Sequence, residues 1–207
     1  MRGRKLIIAM MVTGVVAVAG GAAPADNVIL PGVIEQYSAD LSGFYELGAL
    51  NNQTGAVLSN ATGTAYLLLD KQFSTITYTL TYANVGTTAP GTGTVSQAHI
   101  HFGKSRDSGG VLVYFCTNLT FTGHTGPTPP SCPLNGGTVS GTWTGANVQA
   151  IRSQNVNAGD FNALVGALES NTAYANVHST SGTTPDTAFP AGEIRGQVRM
   201  TNTANQN

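Results

Sequence analysis

Charged side chains are scarce in this sequence of 207 residues, where they make up 9% of the chain. Nine Lys and Arg against ten Asp and Glu give a formal net charge of −1 at pH 7. So few basic residues cannot form the positive face that a phosphate backbone requires, which excludes a nucleic-acid-binding protein. An intrinsically disordered chain is also excluded, because such chains are poor in apolar residues and this one is 41% hydrophobic.

Long apolar runs are missing as well. The longest, 6–19, falls short of the ~20 residues that span a bilayer, so we expect no transmembrane segment in the mature chain. This run follows a basic segment at 2–5 and precedes small residues at 23–25. The pattern predicts a signal peptide at 1–25 that is cleaved, rather than a retained membrane anchor, and hence a secreted or periplasmic protein.

Cysteine occurs only twice, as Cys116 and Cys132. Two cysteines are too few for a thiolate zinc site, and their spacing is not that of a redox CxxC pair. An even pair in an exported protein most often forms a disulfide, so we predict a Cys116–Cys132 bridge. The enclosed segment 117–131 has few apolar residues, and closing a loop of this length stabilises a fold by about 3 kcal/mol.

Glycine is abundant, with 26 residues, and threonine is frequent too. Alternating apolar and polar residues between Gly, Pro and Asn are typical of short strands joined by turns. The strand candidates are 39–47, 63–70, 74–82, 95–102, 111–116, 138–144, 173–179 and 193–200. The segment 160–170 has a helical apolar stripe, with Asp160 as its N-cap. We therefore predict an all-β fold, an antiparallel Greek-key sandwich or barrel of about eight strands with one short helix.

Histidine is the residue type that indicates chemistry. His99 and His101 lie in one predicted strand, so their side chains share a face about 6.6–7 Å apart. His178 lies in another predicted strand and completes a three-histidine copper or zinc site if the two strands are neighbours, whereas His124 lies in the Gly/Pro-rich loop. The alternative is that the strand histidines are half-buried polar residues, bonded to the backbone and to one another, with no metal.

Four segments stand out between residues 98 and 198: Ala98-His-Ile-His-Phe-Gly103, Gly109-Gly-Val-Leu-Val113, Tyr174-Ala-Asn-Val-His178 and Gly192-Glu-Ile-Arg-Gly-Gln-Val198. In this order they resemble the CHRD domain, which is named for its repeats in chordin and is also found singly in exported bacterial proteins. The resemblance implies an extracellular binding or structural module, whose partner is an extracellular protein or a metal ion.

The resemblance covers nearly the whole predicted mature chain, and together with the signal-peptide pattern it divides the sequence into four parts. These are a signal peptide at 1–25, an N-terminal extension at 26–38, the β domain at 39–200 and a flexible tail at 201–207. The Cys116–Cys132 loop looks like an insertion relative to the family's usual shorter connection, so the resemblance assigns it no function.

A more distant similarity is to copper–zinc superoxide dismutases. In these Greek-key barrels an HxH strand followed by Phe-Gly, a later strand histidine and an arginine near the C-terminus surround the copper. His99, His101, His178 and Arg195 occur here in that order. The chain has four histidines, too few for the two-metal site of that family. The similarity therefore implies a copper-only redox enzyme, which is the alternative to a module that binds metal without turnover.

Three polar residues accompany the histidines. Glu193 and Arg195 share a face of a predicted strand, where they would form a polar ladder or bind loop carbonyls. The other interpretation is that Arg195 orients an anion beside His178. Asn176 would tie a neighbouring turn to the sheet. All three are candidate anion-binding or structural partners of the histidine site.

Overall fold

The structure, a computed structural model, describes residues 33–47, 55–89, 93–183 and 188–205. Within these ranges the chain forms nine strands, one α-helix and three single turns of 3-10 helix. The elements are β1 (Val33–Ser42), β2 (Thr62–Asp70), β3 (Thr75–Ala83), β4 (Thr94–Phe102), β5 (Val111–Thr117), β6 (Gly137–Trp143), α1 (Phe161–Glu169), β7 (Ala173–Thr180), β8 (Ile194–Gln197) and β9 (Arg199–Asn205). The predicted signal peptide lies outside the described residues.

The strands form one antiparallel sheet in the order β5-β4-β7-β8-β1-β2-β3-β6, and β9 also pairs with β1. The two edges of this sheet meet. The indole Nε1 of Trp143 on β6 donates to the carbonyl of Tyr114 on β5 at 2.8 Å. The Tyr78 hydroxyl on β3 donates to the carbonyl of Phe115 at 3.0 Å. The sheet is therefore nearly closed into a barrel, with the Greek-key neighbour order β3, β6, β5, β4, which confirms the predicted fold class.

The strand β3 shows how the sequence specifies this barrel. Its apolar residues alternate with Thr, and the barrel core receives Ile76, Tyr78, Leu80 and Tyr82. The threonines point outward, where Thr79 and Thr81 pair with Ser140 and Thr138 of β6 at 3.2 and 2.9 Å. A period of two residues thus divides this strand between core and surface.

The helix and the first strand differ in how well the sequence predicted them. The helix α1 runs from Phe161 to Glu169, and the Asp160 carboxylate accepts from the amide of Ala163 at 3.0 Å, as expected of its N-cap. The first strand, predicted at 39–47, instead begins at Val33 and ends at Ser42. It ends there because the Ser42 side chain caps a 3-10 turn, in which Gly43 packs against a backbone carbonyl too closely for any side chain.

The segment 117–131 is fixed at both ends. The sulfur atoms of Cys116 and Cys132 lie 2.08 Å apart, at the distance of the predicted disulfide, and both residues belong to the core. The Asn118 carboxamide donates to the carbonyls of Val95 and Cys132 and accepts from the Cys132 amide at 3.0 Å. Within the described ranges, no helix combines the length and the apolar character needed to cross a bilayer.

Candidate metal centre

Strands β4 and β7 pair with each other and bring three of the four histidines together. In their register His178 lies opposite Gln97, two residues before His99. His99, His101 and His178 project from the same face, whereas Ile100 points to the opposite face and packs in the barrel core. The strand adjacency that the sequence analysis left open is thus present.

The imidazoles are close enough to share one ion. One candidate ligand atom from each of His99, His101 and His178 lies within 4.8 Å of the other two. His99 Nδ1 and His101 Nε2 lie 3.2 Å apart and form a hydrogen bond, which a metal ion would have to replace at His101. The ring centroids of His99 and His178 are 4.8 Å apart, and those of His101 and His178 are 6.2 Å apart. Among the described residues, the cluster contains these three histidines alone.

Backbone carbonyls orient two of the rings. His101 Nδ1 donates to the carbonyl of Gly109 at 2.9 Å, and His178 Nδ1 donates to the carbonyl of Pro190 at 2.9 Å. Because a carbonyl only accepts, the proton of each neutral ring lies on Nδ1, and Nε2 keeps the lone pair that a metal requires. The Nε2 atoms of His99 and His178 are buried and have no hydrogen-bond partner.

Burial keeps the cluster neutral. The exposed fractions of His99, His101 and His178 are 2%, 9% and 7%. Loss of hydration lowers the pKa of His101 and of His178 to about 4 and holds the pKa of His99 well below its ordinary value. For His99, the neighbouring histidines lower the pKa further. All three rings are therefore uncharged at pH 7, the state in which imidazole binds metal.

Aromatic rings form the walls of the site. The Tyr174 ring stacks on His101 with centroids 4.7 Å apart and planes 1° from parallel. On the far side of this ring lies the Arg195 guanidinium, with Cζ 3.4 Å from the Tyr174 centroid. The Tyr114 ring meets His99 edge to face at 4.5 Å. A stack of histidine, tyrosine and arginine thus crosses β4, β7 and β8.

Arg195 also holds the loop that covers one side of the cluster. Its Nη2 donates to the carbonyls of Lys104 and Asp107 at 3.1 and 2.8 Å. The same loop supplies the Gly109 carbonyl that accepts from His101. These bonds match the loop-carbonyl interpretation of Arg195, and through them β8 helps to orient a histidine on β4.

Glu193 is a fully buried carboxylate with three donors around it. It accepts from the hydroxyls of Ser59 and Ser179 at 2.7 and 2.6 Å and from the amide of Gly86 at 2.8 Å. Ser179 lies on β7, whereas Ser59 and Gly86 lie in the connections before and after the β2–β3 hairpin. Arg195 is not among the hydrogen-bond partners of Glu193. Glu193 fastens these connections to the strand pair that carries His178.

Asn176 ties a turn to the sheet, as the sequence analysis considered. Its Nδ2 donates to a carboxylate oxygen of Glu46 and to the carbonyl of Ile194 at 3.4 Å. Gly192 has φ +131°, and any side chain there would collide with Glu46 and Asn176. Sequence reasoning missed Glu46, which lies 130 positions from its partner and carries no local signal.

His124 lies outside the three-histidine cluster but contacts its wall. Its Nδ1 lies 3.3 Å from the Tyr114 hydroxyl, and its exposed ring stacks on Phe121 at 4.7 Å. Sequence reasoning also missed the carbonyls of Gly109 and Pro190, since a backbone group leaves no mark in the residue pattern. Tyr174 had a usable signal, because it lies on the same strand face as His178.

Comparison with models of known protein families gives a match over most of the chain. A family model described as the CHRD domain matches residues 37–198. The matched range contains all three histidines and the segment 192–198, with its buried carboxylate and its stacked arginine. No curated protein matches the sequence. Since the family model spans most of the chain, the chain belongs to the CHRD domain family.

Proposed function

We propose that this chain is an exported CHRD module that binds a copper or zinc ion through His99, His101 and His178, without catalytic turnover. The observation that carries the proposal is the pair of buried Nε2 atoms, on His99 and His178, that lack a hydrogen-bond partner. Buried polar atoms in proteins are nearly always paired, because an unpaired one costs about 1–3 kcal/mol. A metal ion held by these lone pairs supplies the missing partner.

The type of ligand narrows the choice of ion. Neutral imidazole suits copper and zinc, whereas magnesium and calcium require oxygen ligands. Both cysteines are engaged in the disulfide, and among the described residues no carboxylate belongs to the cluster. Three histidines from two adjacent strands therefore form the ligand set.

Export is part of this proposal. It is supported by the signal-peptide pattern at 1–25 and by the Cys116–Cys132 pair, since disulfides persist mainly in oxidising compartments. Expression of the full chain in an exporting host tests it. The exported product should begin at Asp26 by intact mass, and its two cysteines should resist alkylation until they are reduced. Recovery of the uncleaved chain from the cell interior, with free thiols, would contradict export.

The alternative function is a copper-dependent redox enzyme of the superoxide dismutase type. It is favoured by the position of Arg195, which is separated from His101 by a single ring. Such an enzyme needs a metal that a small anion can reach from solvent. The candidate ligand atoms of His99 and His178 are buried, and the Arg195 guanidinium already donates to two loop carbonyls. Binding without turnover agrees better with this enclosure.

Metal titration of the purified mature protein tests the proposal. We expect one equivalent of copper or zinc to bind, and His101→Ala or His178→Ala to abolish binding, because each removes a third of the ligand set. The matched control is His124→Ala, which should bind as the wild type does. Circular dichroism checks that each variant is folded.

Two outcomes of this titration decide between the functions. Failure of the wild type to bind either ion, or retention of binding by folded His178→Ala, would overturn the metal site. Rapid superoxide consumption by the copper-loaded protein would instead establish the redox enzyme.

A further inference from the structure

Every ligand of the histidine cluster is an uncharged ring. Among the described residues, the cluster includes no Asp, Glu or Cys beside His99, His101 and His178. A bound ion would therefore keep its full charge within the site. This distinguishes the cluster from sites in which a thiolate or a carboxylate neutralises part of a divalent charge.

The charge that lies closest along the stack of rings is positive. The Arg195 guanidinium lies 3.4 Å from the Tyr174 ring centroid, and the opposite face of this ring contacts His101. Arg195 is 3% exposed, so water screens its charge poorly. Its repulsion acts on any cation bound by His101, is offset in part by the buried carboxylate of Glu46 that interacts with Arg195, and is twice as large for a divalent ion as for a monovalent one.

Burial increases the penalty for a divalent ion. The walls of the site are the rings of Tyr114 and Tyr174, and the three histidines are almost fully covered. The free energy needed to move an ion from water into such surroundings rises with the square of its charge, so it is about four times smaller for a monovalent ion than for a divalent one. Burial and neighbouring charge thus favour a monovalent cation.

The number of ligands leads to the same conclusion. Zinc in proteins is almost always four-coordinate, so three protein ligands require a bound water as the fourth, and copper(II) prefers a tetragonal arrangement. The described residues supply three nitrogens, from histidines on two adjacent strands. Hydrogen bonds to the carbonyls of Gly109 and Pro190 fix the orientation of two of these rings. Copper(I) has a filled d shell and accepts a low coordination number without a geometric cost.

On these grounds we infer that the ion of this site is copper(I), which the protein binds in preference to copper(II) and zinc(II). The inference rests on the proposed function and specifies its ligand. The module is then a receptor for reduced copper, and its buried, aromatic walls protect the bound ion from solvent and oxidants.

Competition experiments on the mature protein test the preference. Copper(I) is titrated under anaerobic conditions against a chromophoric copper(I) chelator, while copper(II) and zinc(II) are titrated against chelators of known affinity for those ions. We expect copper(I) to bind at least tenfold more tightly than copper(II), which places the reduction potential of the bound ion at least 59 mV above that of the free couple. Tighter binding of zinc(II) or copper(II) would overturn the inference alone. Absence of binding by all three ions would overturn the proposed function with it.

A pair of arginine variants tests the electrostatic cause. Arg195→Gln removes the positive charge next to Tyr174, while Arg199→Gln removes the same charge from an exposed position on β9. We expect the ratio of copper(I) to copper(II) affinity to fall at least threefold in Arg195→Gln and to stay unchanged in Arg199→Gln. Equal ratios in the two folded variants would contradict the role of Arg195. If Arg195→Gln does not fold, the ratio of copper(I) to copper(II) affinity of the wild type alone tests the preference for copper(I).

Discussion

At the scale of single residues, the segment 192–198 combines glycines at close contacts with a buried, hydrogen-bonded carboxylate. Gly192 leaves room for the contact between Glu46 and Asn176, and Gly196 lies against the backbone of Asp40. The Glu193 carboxylate accepts hydrogen bonds from three buried donors. Small and charged residues are thus needed here because of close backbone approaches and buried hydrogen bonds.

Replacement of Glu193 should therefore be costly. Glu193→Ala leaves the donors of Ser59, Ser179 and Gly86 unpaired in a buried site, and we expect the free energy of unfolding to fall by about 3–5 kcal/mol. Urea denaturation measures it. The matched control is Glu169→Ala, which removes a half-exposed carboxylate paired with Lys71 at 2.6 Å and should cost less than about 1 kcal/mol. An equal decrease in the free energy of unfolding in the two variants would contradict the proposed role of the buried Glu193 hydrogen bonds in stability.

At the scale of elements, the histidine site is assembled by neighbouring strands and the connections that cover them. The strands β4 and β7 carry the ligands, and β8 carries the arginine of the stack. The carbonyls of Gly109 and Pro190 come from two different loops. A metal site of this kind depends on loop positions as much as on strand register, which makes the loops suitable targets for experiment.

The disulfide loop can be separated from the barrel. Cys116→Ala with Cys132→Ala opens the connection 117–131, and we expect a loss of about 3 kcal/mol in unfolding free energy because the unfolded chain gains entropy. The strands should remain paired, since most of the core lies elsewhere. Hydrogen exchange should thus rise in 117–131, while β2 and β3 keep their protection. A uniform rise across the barrel would contradict a local role for the bridge.

At the scale of the whole molecule, three neutral histidines beneath the loops link stability to pH. Burial depresses the pKa of His101 and of His178 to about 4, whereas the unfolded chain titrates near 6.5. Between these values the unfolded state binds more protons than the folded state, so stability falls as the pH decreases. The stabilisation is fully present above about pH 6.5 and is lost progressively towards pH 4.

Acid denaturation of the metal-free protein should reveal this link. From pH 7 to pH 4 each of His101 and His178 should contribute about 3 kcal/mol of destabilisation. Urea denaturation at a series of pH values measures the effect, and His178→Gln should flatten the curve because glutamine does not titrate. The control, His124→Gln, should follow the wild type. A wild-type curve with the same slope as His178→Gln would contradict the buried, neutral state.

The lowered histidine pKa values also change the pH dependence of metal binding. From sequence alone, loss of metal is expected as pH falls through about 6.5, the ordinary pKa of histidine. The lowered pKa values of the folded protein move the competition with protons to more acidic conditions. We therefore expect copper to remain bound at pH 5.5 in an equilibrium dialysis experiment. Release centred near pH 6.5 would mean that the rings are more hydrated than their burial indicates.

The sequence by itself determined most of the strands, the helix and the histidine pair, whereas the bounds of the first strand and the division of 193–200 into two strands were not predicted. The alternation in β3 and the capped stripe of α1 are local patterns that follow from the geometry of a single element, and they were predicted correctly. The common face of His99 and His101 follows from the same period of two. These features need no knowledge of distant residues.

Only the tertiary structure decided which strands are neighbours and which groups cover the histidines. The pairing of β4 with β7 places His178 beside His99, and the loop carbonyls then select the nitrogen that each ring presents. Glu46 and Glu193 acquire their roles from partners more than a hundred positions away. Contacts of this kind arise from chain closure over long separations, and no short-range periodicity in the sequence encodes them.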